Sequence, residues 1–405
     1  MLQRTRHIFS RLRGEWLGLL RAVFRAWRNP PAYPVVLQVE HTNRCNLKCV
    51  MCAHGTGIAP KMPDMDMERF VHVLDEFKGA NAGAGFRQLG HLHLQGVGEP
   101  FLHKKTLPMV RAARQRGISV GFVTNMTVMT DELARELVES GQETILVSVD
   151  AIDAEVFADI RRGAKFDVLE RVLENLARIQ RIKHELGAST PHVYINSLMM
   201  KRTLPQAPEL VARLRELGAE RIDFNDVLTH GMDPEMRFSD GSRCVDQTLF
   251  DLPHAEKMEV SATLEALSTP ACAVRVPGEW GGSDGRAASG TIRTCADLWE
   301  KPYITAEGWV TPCCYAPMKE SLPMGNLNTQ SFEEIWFGPA YQRLRWQHLT
   351  GRAPGTCHKC SQFTETVAHT ALRGGGDAPV YPRVFMGRGR FSLGLSTLRK
   401  ARRFL

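Results

Sequence analysis

The 405-residue chain contains no apolar run long enough to span a bilayer, so no transmembrane helix is expected. No secretory leader is expected either, because arginines interrupt every apolar stretch near the N-terminus. Ten cysteines without such a leader point to a reducing compartment, and to metal rather than disulfides. The expected location is the cytoplasm. Acidic residues are scarce at both ends. Residues 1–28 set seven arginines against Glu15, and residues 362–405 set seven arginines and one lysine against Glu365 and Asp377. The net charge of +7 therefore belongs to the ends, and the body between them is acidic. Aromatics are sparse in the basic tail and no groove-reading motif accompanies it, so nucleic acid is not an expected partner.

What is present begins with 405 residues, enough for two domains or one large barrel with additions, of which 43% are hydrophobic and allow a sizeable core. Phe9, Leu12, Trp16, Leu19, Leu20, Val23 and Trp27 recur at helical spacing. Arg4, Arg11, Arg21, Arg25 and Arg28 fall opposite them, and Asn29-Pro30-Pro31 ends the helix. This basic amphipathic segment, residues 1–34, suits an acidic partner or an anionic membrane surface, which would place the protein peripherally at the inner face of the membrane. Alternatively its apolar face covers the bottom of a barrel.

The chemistry starts at Cys45-Asn-Leu-Lys-Cys49-Val-Met-Cys52. Thiolates are soft ligands for iron–sulfur clusters or zinc. Three of them at this spacing can hold three corners of a cubane and leave one iron open. A zinc loop short of one ligand is the alternative. The alternating, β-branched segment 35–42 before them reads as a strand. The loop thus leaves the C-terminal end of a first strand, where barrel-type α/β folds place their chemistry.

Cys45, Cys49 and Cys52 resemble the cluster loop of the radical S-adenosylmethionine (SAM) superfamily, with Met51 standing where that family usually has an aromatic residue. The resemblance implies a [4Fe–4S] cluster whose open iron is chelated by SAM. It implies reductive cleavage to a 5′-deoxyadenosyl radical, hydrogen abstraction from a substrate, and a reductase such as flavodoxin or ferredoxin. Further strands are expected at 89–94, 118–125, 143–150, 192–199 and 221–226. Helices are expected over about 65–77, 153–162, 167–186 and 206–217. The fold class is then α/β, a partial (β/α)6 TIM-type barrel over residues 35–230 with a connecting segment 231–290.

Gly96-Val-Gly-Glu-Pro100 resembles the family's Gly-Gly-Glu-Pro motif with Val97 inserted. In the family that backbone binds the amino group of SAM, so Gly96, Gly98, Glu99 and Pro100 are cofactor candidates. Thr124 and Asn125 at the tip of strand three join them, with Ser148 and Asp150 on strand four, Arg161 in Arg161-Arg-Gly163 and Asn196 on strand five. For Ser148 and Asp150 a solvent-facing strand end is the alternative. Asn225, Asp226 and His230 are candidates for facing substrate, against loop capping.

Cys295, Cys313, Cys314, Cys357 and Cys360 gather late in the chain. With Gly308-Trp-Val-Thr-Pro-Cys313 and Cys357-His-Lys-Cys360, residues 291–361 resemble the auxiliary-cluster region of SPASM or twitch enzymes. No cysteine follows Cys360, so the shorter, single-cluster twitch-like form is the better match. Cys295, Cys313, Cys357 and Cys360 would ligate a second [4Fe–4S] cluster, saturated and suited to electron transfer. A four-thiolate zinc site is the alternative. Cys314 is left over as a candidate hydrogen-atom donor, a swapped ligand or a small buried residue. Cys244 and Cys272 are expected to be structural, and the basic tail 362–405 is expected to be flexible until Ser392.

The expected function is a radical SAM oxidoreductase that dehydrogenates a hydroxyl-bearing sugar, cyclitol or lipid-linked substrate, the auxiliary cluster taking an electron. Alternatives are an epimerase using a thiol such as Cys314, a peptide maturase, and a non-enzymatic two-site metal or electron-transfer protein. Only about 34 residues precede the first strand, too few for a fused peptide-recognition domain, which ranks the peptide reading lower.

Overall fold

Alternation along each strand decides which side chains meet the helices. The computed structural model describes residues 33–34, 36–59, 61–81, 89–163, 167–227, 233–249, 252–276, 295–314, 322–349, 352–360 and 363. Six parallel strands follow one another in sheet order: β1 (Val36–Val39), β2 (His91–Leu94), β3 (Ser119–Thr124), β4 (Thr144–Ser148), β5 (His192–Met199) and β6 (Arg221–Asp226). On β5, Val193, Ile195, Ser197 and Met199 are buried, while His192, Tyr194, Asn196 and Leu198 lie half-buried on the other face. Leu37, Val39, Leu92, Leu94, Val120 and Phe122 join Val193 and Ile195 in one core with the helices. Each such side chain contributes roughly 1.5–3 kcal/mol on burial. The opposite face carries Gln38, His91, His93, Asn196 and Asn225.

The helices between these strands are α1 (Met67–Asn81), α2 (Thr106–Arg114), α3 (Asp131–Glu139), α4 (Ala154–Ile160), α5 (Val168–Glu185) and α6 (Ala207–Glu216). Their starts follow the usual capping chemistry. Thr130 accepts from Leu133 N at 3.2 Å, and Asp153 accepts from Val156 N at 2.9 Å. The partial barrel read from the sequence is therefore present, with strands five and six at their expected limits. A seventh short strand, β7 (Ala273–Arg275), pairs parallel to β6 beyond α7 (His254–Glu265). The amphipathic segment 1–32, His230, the glycine-rich loop after Trp280 and the basic tail beyond Phe363 lie outside the described residues. Among the described residues no helix is long and apolar enough to cross a membrane.

The cysteine-rich region continues the barrel sheet rather than standing apart from it. Strand β8 (Tyr303–Ile304) pairs parallel to β1 on the side away from β2. Strands β9 (Trp309–Thr311) and β10 (Gly325–Asn326) then add antiparallel. The short helix α9 (Phe332–Trp336; α8 is Asp297–Glu300) opens with a capping box of Ser331 and Glu334. It packs Phe332 against Phe77 of α1 at 4.3 Å between ring centroids. Arg69 of α1 donates to Ala306 O at 2.8 Å, so the extension is fastened to the first barrel helix as well as to β1. Beyond it, α10 (Pro339–Leu349) carries the buried Arg345, whose guanidinium lies 4.3 Å from the Trp336 ring.

Candidate active site

The loop after β1 brings Cys45, Cys49 and Cys52 into mutual electrostatic range. Cys49 sits in a two-residue ladder, Lys48–Cys49 against Arg161–Arg162, which sets it directly opposite Arg161. Burial raises the Cys45 thiol and pushes Cys49 up to about 12. Holding such buried thiols as thiolates calls for a bound cation or cluster, so the three fit a metal centre. Polar N–H groups already point at the sulfurs: Leu47 N lies 3.5 Å and Asn125 Nδ2 3.8 Å from Cys45 Sγ, and Arg161 Nη1 lies 4.0 Å from Cys49 Sγ. Among the described residues no three His, Cys, Asp or Glu side chains are grouped to hold a single metal ion.

Strand β3 delivers Thr124 and Asn125 to this loop. Just past its end the chain turns through Met126, whose φ of 55° is unusual for a residue with a side chain. Such a conformation costs roughly 1–3 kcal/mol. Asn175 Nδ2 holds it by donating to Met126 O at 2.7 Å. The turn lets Asn125 reach Asn46 at 3.0 Å, while Asn46 donates to Thr127 at 2.8 Å. Glu99 is spent on the same tip. It accepts from Thr124 Oγ1 and Asn125 N, both at 2.7 Å, and from Phe101 N at 3.3 Å. Burial pushes its carboxyl up to about 7 against these three donors. Glu99 and Thr124 thus clamp each other and begin the turn at Pro100. The glycines beside them answer a close approach. A Cβ on Gly98 would lie 2.3 Å from Thr42 O, and one on Gly96 would lie 2.5 Å from Glu40 Cγ.

Asp150 also faces inward. It is buried, accepts from Leu198 N at 2.9 Å and forms a 2.7 Å ion pair with the buried Arg161. Burial raises its carboxyl, and Arg161 opposes that rise. Asp150, Arg161 and Cys49 therefore make a chain from strand four to the cluster loop. Ser148 and Asn196 are register partners, and Asn196 accepts from Asn225 at 2.8 Å. Asp226, by contrast, caps its own turn by accepting from Val227 N at 3.0 Å.

The late cysteines converge as well. Cys295, Cys313, Cys357 and Cys360 line one cavity of about 50 Å³ together with Leu298 and Phe363. Burial raises Cys295 well above an ordinary thiol, so this group too fits a cation-rich centre. Cys314 does not line the cavity; burial pushes it up to about 12, and it lies in electrostatic range of Tyr303. Cys244 and Cys272 are buried, Cys244 in an apolar cluster with Val50 and Met51 of the cysteine loop and Cys272 in the main core. Sequence reasoning missed Glu40 and Tyr303. Glu40 keeps the face of Gln38 in the β1 alternation, a signal that was available; the partner strand of Tyr303 carried none.

Residues 39–188 match the radical SAM superfamily, and residues 295–361 match the SPASM iron-sulfur cluster-binding domain. The chain is a radical SAM enzyme with a C-terminal SPASM domain. The second match is to SPASM and does not single out the shorter twitch form. The cofactors of this radical SAM enzyme are a [4Fe–4S] cluster with SAM and an auxiliary iron–sulfur cluster. It is 25% identical over 337 residues to a PqqA peptide cyclase of Xanthomonas campestris pv. campestris, covering 82% of this chain and 80% of that protein. It is 29% identical over 196 residues to the tungsten-containing aldehyde ferredoxin oxidoreductase cofactor-modifying protein of Pyrococcus furiosus, spanning 47% of this chain and only 51% of that one. In fold it resembles Streptococcus suis SuiB bound to precursor peptide SuiA, with a TM-score of 0.58 and 15% identity over 82% of this chain and 71% of SuiB. It also resembles anSMEcpe with bound AdoMet, with a TM-score of 0.56 and 15% identity over 81% of this chain and 86% of that one.

Proposed function

We propose that this radical SAM enzyme crosslinks or cyclises a peptide, in place of the sugar, cyclitol or lipid-linked substrate expected from the sequence. The observation that carries the reading is the alignment with PqqA peptide cyclase over 82% of this chain. The fold likeness to SuiB, solved with a precursor peptide, supports it. Among the described residues the two edge strands of the sheet, β7 and β10, do not pair, which leaves the sheet open for an extended substrate to enter from the side. When bound, the cluster and SAM supply hydrogen-atom abstraction from a substrate carbon. Cys45, Cys49 and Cys52 would hold that cluster. The backbone of Gly96–Pro100, with Asn125, Ser148 and Asn196, would line the place for SAM. Glu99, Thr124, Asp150 and Arg161 brace these groups from behind. Cys295, Cys313, Cys357 and Cys360 would hold the auxiliary cluster, and a flavodoxin or ferredoxin would be the electron donor.

The test is an anaerobic reaction of the reconstituted enzyme with SAM and dithionite in deuterated water. A pool of ribosomally made peptides and a panel of sugars and cyclitols are offered separately. A peptide that loses two hydrogens is the expected product. An oxidised sugar with unchanged peptides would restore dehydrogenation. Deuterium at an inverted peptide centre, without loss of hydrogen, would favour epimerisation through Cys314.

A further inference from the structure

The segment that leads from β1 into Cys45 meets the glycine loop at three successive residues. Gly98 has no room for a Cβ beside Thr42 O, Arg44 O accepts from Glu99 N at 2.7 Å, and His41 reaches Pro100 through Thr106. The first two are backbone contacts. The third is made by two buried side chains, His41 and Thr106, the latter opening α2. Proline has no N–H, so the Pro100 end of the loop can be hydrogen-bonded only through its carbonyl. That carbonyl accepts from Thr106 Oγ1 at 2.6 Å and from His103 N at 3.0 Å.

The direction of each bond follows. Two oxygens 2.6 Å apart need a proton between them, and only Thr106 has one to give. Thr106 Oγ1 is then the acceptor toward its other neighbour, so His41 Nε2 donates to it at 2.9 Å. Burial, and His103 beside the ring, pull the His41 pKa down to about 3, so its single ring proton stays on Nε2. His103 has the same tautomer. Its Nδ1 accepts from Lys105 N at 2.9 Å, which leaves Nε2 to donate to Met65 O at 2.8 Å. The two rings stack 5.5 Å apart, and Met65 N donates back to His41 O at 2.8 Å. The His41 ring therefore has one position and one proton, and it aims the Thr106 hydroxyl at Pro100.

We propose that His41 and Thr106 are positioning residues for SAM, which hold the Pro100 end of the Gly96–Pro100 loop in register with the three-cysteine loop. The proposal rests on the SAM-binding role given to that loop above. Neither residue touches the reacting atoms. A ligand that bridges a cluster and the glycine loop binds fully only where the two stand correctly against each other. A small shift of one loop against the other then weakens the ligand without releasing the metal.

The test uses the full chain with both clusters reconstituted. It reads SAM affinity by calorimetry, the EPR spectrum of the reduced cluster as SAM is added, iron and sulfide content, and the urea midpoint. Thr106→Val keeps the shape and removes the hydroxyl; it weakens SAM roughly three- to tenfold with iron and sulfide content unchanged. The change that SAM makes in the EPR spectrum then needs correspondingly more SAM. Thr106→Ser, which keeps the hydroxyl, recovers most of the loss. His41→Leu weakens SAM to a similar degree, and His41→Gln, which keeps an N–H donor, recovers part of it. In the Thr106→Val background His41→Leu adds nothing, because the imidazole acts through the hydroxyl. A lower urea midpoint with unchanged SAM affinity would make the contact purely structural and overturn the proposal. So would loss of iron from the three-cysteine site, or losses that multiply in the double variant. Should His41→Leu fail to fold, Thr106→Val and its recovery by Thr106→Ser decide alone. Gly98→Ala probes the underlying reading, because its Cβ pushes the loop off Thr42 O. Unchanged SAM affinity in Gly98→Ala sinks the loop assignment and the two positioning residues with it. Weakened affinity there, beside an unaffected Thr106→Val, sinks only the positioning residues.

Discussion

Cys45 and Cys49 have N–H donors aimed at their sulfurs, whereas the cavity shared by Cys295, Cys313, Cys357 and Cys360 is walled mainly by Leu298, Pro312, Leu322, Leu344 and Phe363. The first group has three thiols, a nearby Asp150–Arg161 ion pair, and a loop of small residues at its rim. The second has four thiols around a small, largely apolar hollow. Hydrogen bonds to sulfur and the dryness of the surroundings are the main levers a protein has on a cluster. The first setting suits a polar ligand beside a metal, and the second suits a centre with largely apolar walls. Two sites with the same ligand chemistry thus differ in what surrounds them.

The most severe way to break this comparison is to replace Cys45, Cys49 and Cys52 with alanine. SAM cleavage should vanish, while iron, sulfide and EPR signals of one cluster persist in the SPASM domain. Loss of both clusters would mean that the two settings are not independent. A smaller effect is expected from Arg161→Met, which leaves Asp150 buried without its partner. Urea unfolding should show a loss of about 3–5 kcal/mol, the usual penalty for breaking a buried pair from one side. An unchanged midpoint would show that the polar setting carries no stored charge. The mildest test concerns Glu99. Its folded pKa of about 7 lies above the ordinary value of 4.5, so the folded chain holds a proton there that the unfolded chain releases. The stability this proton confers is complete below pH 4.5 and is lost as pH rises through 7. Glu99→Gln cannot lose it. Relative to wild type, the variant should gain up to about 3 kcal/mol between pH 5 and pH 8, read from urea unfolding at each pH. A difference independent of pH would place Glu99 in a wetter environment than its three donors and burial suggest.

Much of the barrel was legible because each strand announces itself locally. Val193, Ile195 and Met199 alternate with Tyr194, Asn196 and Leu198, and that period of two survives without any knowledge of neighbours. The cluster loop was legible for a similar reason, since its three ligands fall within eight residues. The roles of Glu99, Asp150 and Arg161 were not. Arg161 reaches Cys49 across 112 residues of sequence, and nothing in either segment names the other. Glu99 sits inside a recognisable motif, yet its carboxylate turns to Thr124 and Asn125 on the next strand. The four late cysteines were assembled by resemblance, because spacing alone fits zinc as well as a cluster. The peptide reading was ranked low from the shortness of the segment before β1, a length that says nothing about which substrate the open sheet admits.

Strand β8 has a consequence for how the molecule comes to be. Gln38 Nε2 donates to Lys301 O at 3.3 Å, joining residues 263 positions apart. Contacts of such span form slowly, because the loop they close is costly in chain entropy before it is rewarded. During synthesis β2 can join β1 long before residue 303 leaves the ribosome. Until then the other side of β1, Val36-Leu-Gln-Val39, is a bare edge ready to accept a stranger's strand. Iron supplied too late for the SPASM region to settle would extend that exposure, and aggregation of iron-starved chains would begin at this edge.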